Sequence, residues 1–329
     1  MVMAQCLLQT LKSRQDNPAI TLAAPAATAR LAHRMPEVDK VIETPFQHGR
    51  LQLADRLRIG RSLRGHRFDQ AIILPGSLKA ALLPFFARAA VRTGYRGEPR
   101  WGLINDPRTR PTTKDDPMAA RFVQLAFAAD AATVSTYPYP RLATYPENVE
   151  RVFQGIGRDV PSAPVIALCP GAEFGPAKRW PEAHFAAVAD HFLAQGWQIW
   201  LLGGKSDRAV ARNIIGKSTG PEQCVDLTGK TSIEDAIDLL AHARAAVSND
   251  SGLMHVAAAT GTPIVGIFGS SSELHTPPLG PLTDTVSQAL DCRPCFARKC
   301  PLGHTQCLET LEPQRVIASL SALIQKTAH

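Results

Sequence analysis

At 329 residues, 45% of them hydrophobic, the chain is long enough to bury two cores, and its composition excludes a disordered or fibrous protein. A formal charge of +7 and a pI near 9.2 suit acidic partners, whether nucleotide diphosphates, phosphorylated lipid headgroups or nucleic acid. No apolar run is long enough to span a bilayer and no basic segment leads into an apolar one, so neither a membrane span nor a secretory signal is read and a cytoplasmic protein is expected.

In chain order, Val2 to Lys12 has apolar residues at 3, 7, 8 and 11 and predicts a helix; Ala19 to Ala24 then reads as a strand and Pro25 to His33 as a second helix. A doubly wound domain normally opens with a central strand and a Gly-rich turn, so the expectation is that this first strand is missing and its neighbours are left with open edges. Val38 to Glu43 follows as a short strand, Leu51 to Leu63 as a helix and Phe68 to Leu74 as a strand. The helix is basic: Arg50, Arg56, Arg58, Arg61, Arg64 and Arg67 oppose only Asp55, which fits either a solvated face or a surface for anionic headgroups. Lys79 stands just after Pro75-Gly76-Ser77 at the mouth of the next helix, on the side where α/β sheets bind ligands. Arg92, Arg96 and Arg100 are interleaved with Tyr95 and Trp101, but no nucleic-acid module accompanies them and no nucleic-acid partner is expected. The stretch 106–117 is polar and Pro-rich, Met118 to Ala128 looks helical, and Tyr137-Pro138-Tyr139-Pro140 to Tyr145-Pro146 excludes regular structure. These breaks place a first domain at 1–150, a junction near 145–162, a second domain at 160–310 and a terminal segment at 311–329.

Val165 to Leu168 is a buried-type strand running into Cys169-Pro170-Gly171-Ala172-Glu173, and Lys178 precedes Trp180-Pro181 and a helix that ends at Gly196. A lysine on a glycine-containing loop beyond a strand is placed either to meet a phosphate as a point charge or simply to face solvent; Trp180 reads as a packing residue. Ile199 to Leu202 is the next strand, Gly203-Gly204 its turn, and Asp207 lies where a carboxylate accepts ribose hydroxyls in nucleotide-binding α/β folds. Thr228-Gly229-Lys230 borders the same mouth and leads to Thr231 and Glu234, a capping box for a helix reaching Ala243. Ala245 to Ser248 then reads as a buried strand, Asn249-Asp250-Ser251-Gly252 as a turn, Leu253 to Thr260 as a helix closed by Gly261 and Pro263, and Ile264 to Phe268 as another strand. Unpartnered amides and the helix dipole make that helix start an anion site suited to a diphosphate, with Gly252 allowing close approach and His255 one turn in, on the side of Ser251. Spacing alone favours an ordinary capped crossover.

Cys6, Cys169 and Cys224 read as small buried hydrophobes, whereas Cys292, Cys295, Cys300 and Cys307 are dense enough either for a closed tetrahedral zinc site of structural kind or for free thiols. Pro313 to Lys326 predicts a terminal helix with apolar positions 316, 317, 320, 323 and 324.

The strings PGAEFGPAKRWP (170–181), LTGKTSIEDAIDLLAHA (227–243), SNDSGLMHVAAATGTPIVGIFG (248–269) and HTPPLG (275–280) together resemble the ADP-heptose:lipopolysaccharide heptosyltransferases, over nearly the whole chain. The resemblance implies an α/β GT-B fold of two Rossmann-like domains with the donor held by the C-terminal one, the terminal helix crossing back to the first. It implies an inverting transfer of heptose from ADP-heptose to the heptosyl-Kdo2-lipid A inner core at the cytoplasmic face of the inner membrane, by direct displacement that requires no cofactor. Lys178 and the amides at Ser251 and Gly252 would stabilise the leaving diphosphate, Asp250 would orient the loop and sugar, and Leu253, His255, Asp207, Thr228 and Gly229 would complete the donor site. Lys79, Arg92 and Arg96 would face the acceptor. Members of this family carry an aspartate, proposed as the base, just upstream of the segment matching Met1 to Gln5, and this sequence starts after it. That departure keeps open a donor-binding protein impaired in catalysis, and a nucleotide-sugar epimerase on the same architecture is the other alternative.

Overall fold

The computed structural model describes residues 1–110 and 116–327, so positions 111–115 of the Pro-rich stretch and the last two residues lie outside the description. The chain divides into two units, Met3–His33 with Glu37–Pro138, and Arg34–Pro36 with Tyr139–His329.

In the first unit the order is α1 (Gln5–Lys12), β1 (Thr21–Pro25), α2 (Ala26–Ala32), β2 (Lys40–Thr44), α3 (Leu53–Ser62), β3 (Gln70–Ile73), α4 (Leu78–Phe86), β4 (Val91–Tyr95), β5 (Asp106–Arg108) and α5 (Met118–Gln124). All pairings are parallel, as crossover helices between β1 and β2 and between β3 and β4 allow, but they fall into two sheets, β1-β2 and β3-β4-β5. Two strands were not legible in the sequence. β4 carries Gly94 where a side chain would press on the Ile73 carbonyl, and β5 is a three-residue edge containing Pro107, which an edge strand tolerates. The arginines are not all on a solvated face. Arg56 is buried, with its guanidinium 3.9 Å over the Phe46 ring and Nε donating to the Leu51 carbonyl at 2.7 Å, while Arg64 donates to Phe86 O at 2.9 Å. Arg100 is buried too, clamping the carbonyls of Pro75 and Tyr95.

The second unit contains α6 (Glu147–Gly155), β6 (Val165–Cys169), α7 (Glu182–Leu193), β7 (Gln198–Leu201), α8 (Arg208–Lys217), β8 (Cys224–Asp226), α9 (Ile233–His242), β9 (Ala245–Asn249), α10 (Gly252–Ala259), β10 (Ile264–Phe268), β11 (Thr283–Ser287), α11 (Gln306–Glu309) and α12 (Pro313–Lys326). Its sheet is parallel, in the order β11-β10-β9-β6-β7-β8. Every residue of β6, β9 and β10 is buried, because helices cover both faces, and this is why those strands read as continuous apolar runs. α7 packs with α8 and α12, and α9 with α6 and α10. The chain division at Pro138 lies upstream of the expected junction, since α6 packs on α9. The terminal helix, read as crossing back to the first domain, is counted with this unit: Val316, Leu320 and Leu323 are buried, and α12 packs on α7 and on β9 to β11. The capping box of α9 is one residue later than expected, between Ser232 and Asp235, whose side chains each bind the other's amide at 3.1 and 2.9 Å. Asp235 also pairs with Arg151, which favours that register over Thr231 and Glu234.

Strand order reverses direction between β6 and β9, so the crevice beyond their C-terminal ends is the topological switch point, where open α/β sheets bind ligands.

Candidate functional site

Two segments meet at that switch point: the loop 170–181 beyond β6 and the turn 250–252 beyond β9. Asn249 ties them together. Its amide nitrogen donates to Pro170 O at 2.7 Å, and its side-chain oxygen accepts the Trp180 amide at 3.1 Å. Trp180 is buried, as its reading as a packing residue requires, and donates Nε1–H to Leu311 O at 2.9 Å. The loop is thereby fixed at both ends, and Lys178 extends Nζ to within 2.5 Å of Asp250 Oδ2. The same carboxylate oxygen accepts Ser271 Oγ–H at 2.5 Å. Asp250 is only 6% exposed, so this pair sits at the wall of the site and is weakly screened.

Beside it α10 begins. Ser251 is its N-cap, but the residue is extended (φ −145°, ψ 174°) and its hydroxyl makes no capping bond. The first amides of α10 are left as orphan donors, carrying the positive end of the dipole. A side chain built at Gly252 would meet nothing within 4 Å, so the backbone at the start of α10 is not crowded on that side. Leu253 is half-buried beside them. His255 lies one turn in, and its Nδ1 is buried with no hydrogen-bond partner among the described residues. Desolvation drives its pKa down to about 4 against the opposing pull of the Asp250 charge, so the ring is neutral at physiological pH.

The other expected donor residues form a second corner of the same sheet edge. The Asp207 carboxylate accepts the Gly204 amide at 2.9 Å and is close under Gly171 and Gly203, where an added side chain would strike it. Thr228 is buried and donates Oγ1–H to Asp226 at 2.5 Å. Gly229 has φ +64° and donates to Gly203 O at 2.8 Å. Arg208 binds the Thr228 and Gly229 carbonyls at 3.2 and 3.1 Å. Asp207, Thr228 and Gly229 are therefore engaged in holding this corner's shape, and they are brought to the same C-terminal edge as Lys178 and Asp250.

Of the acceptor candidates in the first unit, Lys79 is half-buried and Arg96 exposed, while Arg92 commits its guanidinium to the carbonyls of Leu103 and Ala89 at 2.8 and 2.7 Å. The four clustered cysteines share a segment: Cys307 is buried, and that burial holds its thiol above its ordinary range. Backbone amides, that of Thr305 foremost, hold the Cys300 thiol below its ordinary range. Among the described residues no group of three or more His, Cys, Asp or Glu is arranged to hold a metal ion. Sequence reasoning placed Asn249 in the turn without assigning it a role, and it missed Ser271 and Arg208. For Ser271 the available signal was the run of serines 270–272 directly after β10, at the same sheet edge.

Comparison with known proteins settles the family. The sequence model of glycosyltransferase family 9 (heptosyltransferase) matches residues 56–306. The chain belongs to glycosyltransferase family 9. Family 9 relatives similar over nearly the whole chain include lipopolysaccharide heptosyltransferase 2 of Salmonella typhimurium, 39% identical over 332 residues that span 99% of this chain and 95% of the relative. Lipooligosaccharide heptosyltransferase 2 of Haemophilus influenzae is 39% identical over 340 residues, spanning 99% and 96%. The solved structure of the E. coli ADP-heptose lipopolysaccharide heptosyltransferase II matches with a TM-score of 0.87 at 35% identity, over 100% of this chain and 96% of that one. The protein is thus a family 9 glycosyltransferase with the α/β GT-B fold of that family.

Proposed function

We propose that this glycosyltransferase moves heptose from ADP-heptose to the heptosyl-Kdo2-lipid A inner core of lipopolysaccharide, with inversion, by direct attack of an acceptor hydroxyl on the anomeric carbon. The observation that carries the reading is the juxtaposition of Lys178 with the uncrowded, uncapped start of α10 at the switch point. In this reading the donor diphosphate lies over the amides of Ser251 and Gly252, bordered by Leu253. As the glycosidic bond breaks, negative charge grows on the leaving phosphate, and donors fixed in advance stabilise it without reorganisation. Lys178 is held ready by Asp250, which already accepts from Ser271 and so positions the lysine rather than removing a proton from the acceptor. Neutral His255 offers a hydrogen bond without adding a charge that would retain ADP. The corner of Asp207, Thr228 and Gly229 is proposed to border the nucleoside, and Lys79, Arg92 and Arg96 to meet the anionic acceptor. Exposed arginines of the first unit, Arg58 and Arg61, are proposed to hold the enzyme at the anionic membrane surface that carries that acceptor. A structural zinc at Cys292, Cys295, Cys300 and Cys307 is proposed from the density of the four cysteines in the sequence alone, and it would have no part in the transfer.

Incubation with ADP-heptose, with and without the heptose-bearing acceptor, tests the reading. Heptose transfer with release of ADP is expected only when both are present, and Lys178→Gln should slow it by about 10²- to 10³-fold, the usual effect of removing one such donor. Retention of unchanged ADP-heptose, or its isomerisation without acceptor, contradicts the proposal.

A further inference from the structure

We infer that Arg298 is a second cationic contact for the donor diphosphate, brought to the site by the cysteine-bearing segment. The inference rests on the donor reading above and adds a residue to it. The first observation is one of charge. Lys178 is matched by Asp250 and His255 is neutral, so these three side chains together bring no net positive charge to set against a diphosphate. The second is geometric. The Phe174 ring, on the same loop as Lys178, has Lys178 Nζ 5.0 Å and Arg298 Cζ 5.3 Å from its centroid, so the two cations flank one ring and lie within about 10 Å of each other. Neither Arg298 nor the exposed Glu173 beside Phe174 takes part in an ion pair among the described residues, and Arg298 is exposed.

This placement is built by the backbone. Ala177 donates its amide to Arg298 O at 3.2 Å, and Phe296 donates to Ser270 O at 2.7 Å. Gly175, at φ +156°, lies so close that any side chain there would collide with the Arg298 carbonyl. Arg293 Nε donates to Gly269 O at 2.6 Å and Nη2 pairs with Glu273 at 3.0 Å, which pins the base of the segment to the end of β10. Arg298 is thus held at its main chain against the Lys178 loop, while its guanidinium rests on an aromatic face and keeps its donors free. A planar guanidinium presents several N–H groups to phosphoryl oxygens, which suits a diphosphate better than a second point charge.

The test is calorimetric titration of ADP and of adenosine into the full chain, wild type, Arg298→Gln and Arg298→Lys, with thermal unfolding of each. Expected are a roughly tenfold loss of ADP affinity in Arg298→Gln, a smaller loss in Arg298→Lys, unchanged adenosine binding and an unchanged Tm. ADP affinity equal to wild type overturns the inference, and if the KM for the acceptor alone rises, the cation serves the acceptor's phosphates instead. Equal losses for ADP and adenosine overturn it in favour of a structural role. A wild type that binds ADP no more tightly than adenosine removes the diphosphate site itself, a failure of the underlying reading that is distinguishable from the others because it needs no variant.

Discussion

His255 shows how a single side chain at the site becomes a measurable property of the whole fold. Its pKa falls from an ordinary 6.5 to about 4 because burial disfavours the imidazolium. The unfolded chain therefore binds more protons than the folded one between those values, so stability rises with pH across that window. The contribution is complete above about pH 6.5 and is lost as pH falls through 4. Chemical unfolding measured from pH 7 to pH 4 should show this slope in the wild type, by up to one proton, and a shallower one in His255→Asn; identical slopes would mean that the ring does not titrate as described. Residue types at the site were legible beforehand, since Lys178, Asp250, Ser251, Gly252 and His255 all stood on recognisable loop and cap positions. Their pairing was not. The Lys178–Asp250 bond and the Asn249 ties join positions about 70 residues apart, and only the parallel pairing of β6 with β9 decides that they meet.

At the scale of elements, legibility followed burial. The run β9, α10, β10 was read almost to the residue, because all-buried strands, an N-cap turn and a closing Gly261 reinforce one another. β8 and β11 were missed, and both are outer strands of the six-stranded sheet, too short or too polar to show an apolar run. A different kind of tie holds α9. Asp238 on its inner face receives Arg34 through two bonds, at 2.8 and 2.6 Å, and also the Tyr145 amide at 2.8 Å and Asn148 at 2.7 Å. The Asp238 side chain is wholly buried, so removing it would leave a guanidinium desolvated and unpaired. Asp238→Ala should cost about 3–5 kcal/mol in urea unfolding, whereas the paired change Arg34→Met with Asp238→Leu should cost much less. Equal losses in both would place the stability in packing rather than in the charge pair.

For the molecule as a whole, the formal charge of +7 allowed several anionic partners, and the structure narrows what the arginines of α3 contribute to it. Arg56 is a packing residue, while Arg58 and Arg61 stand outward, with Arg58 paired to Asp55. Vesicles with about a third of anionic lipid should retain the protein at low salt, and Arg58→Gln with Arg61→Gln should reduce that retention, each charge being worth roughly 1 kcal/mol near such a surface. Binding indifferent to these changes would move the membrane surface elsewhere. The central claim is narrower: the donor's diphosphate sits over the start of α10, between those amides and Lys178. A crystal structure of the protein with ADP tests it most directly. The account predicts phosphoryl oxygens within hydrogen-bond distance of the Gly252 amide and of Lys178 Nζ, with the Asp250 pair loosened or shared. A diphosphate bound away from α10, with Lys178 still closed on Asp250, would contradict it.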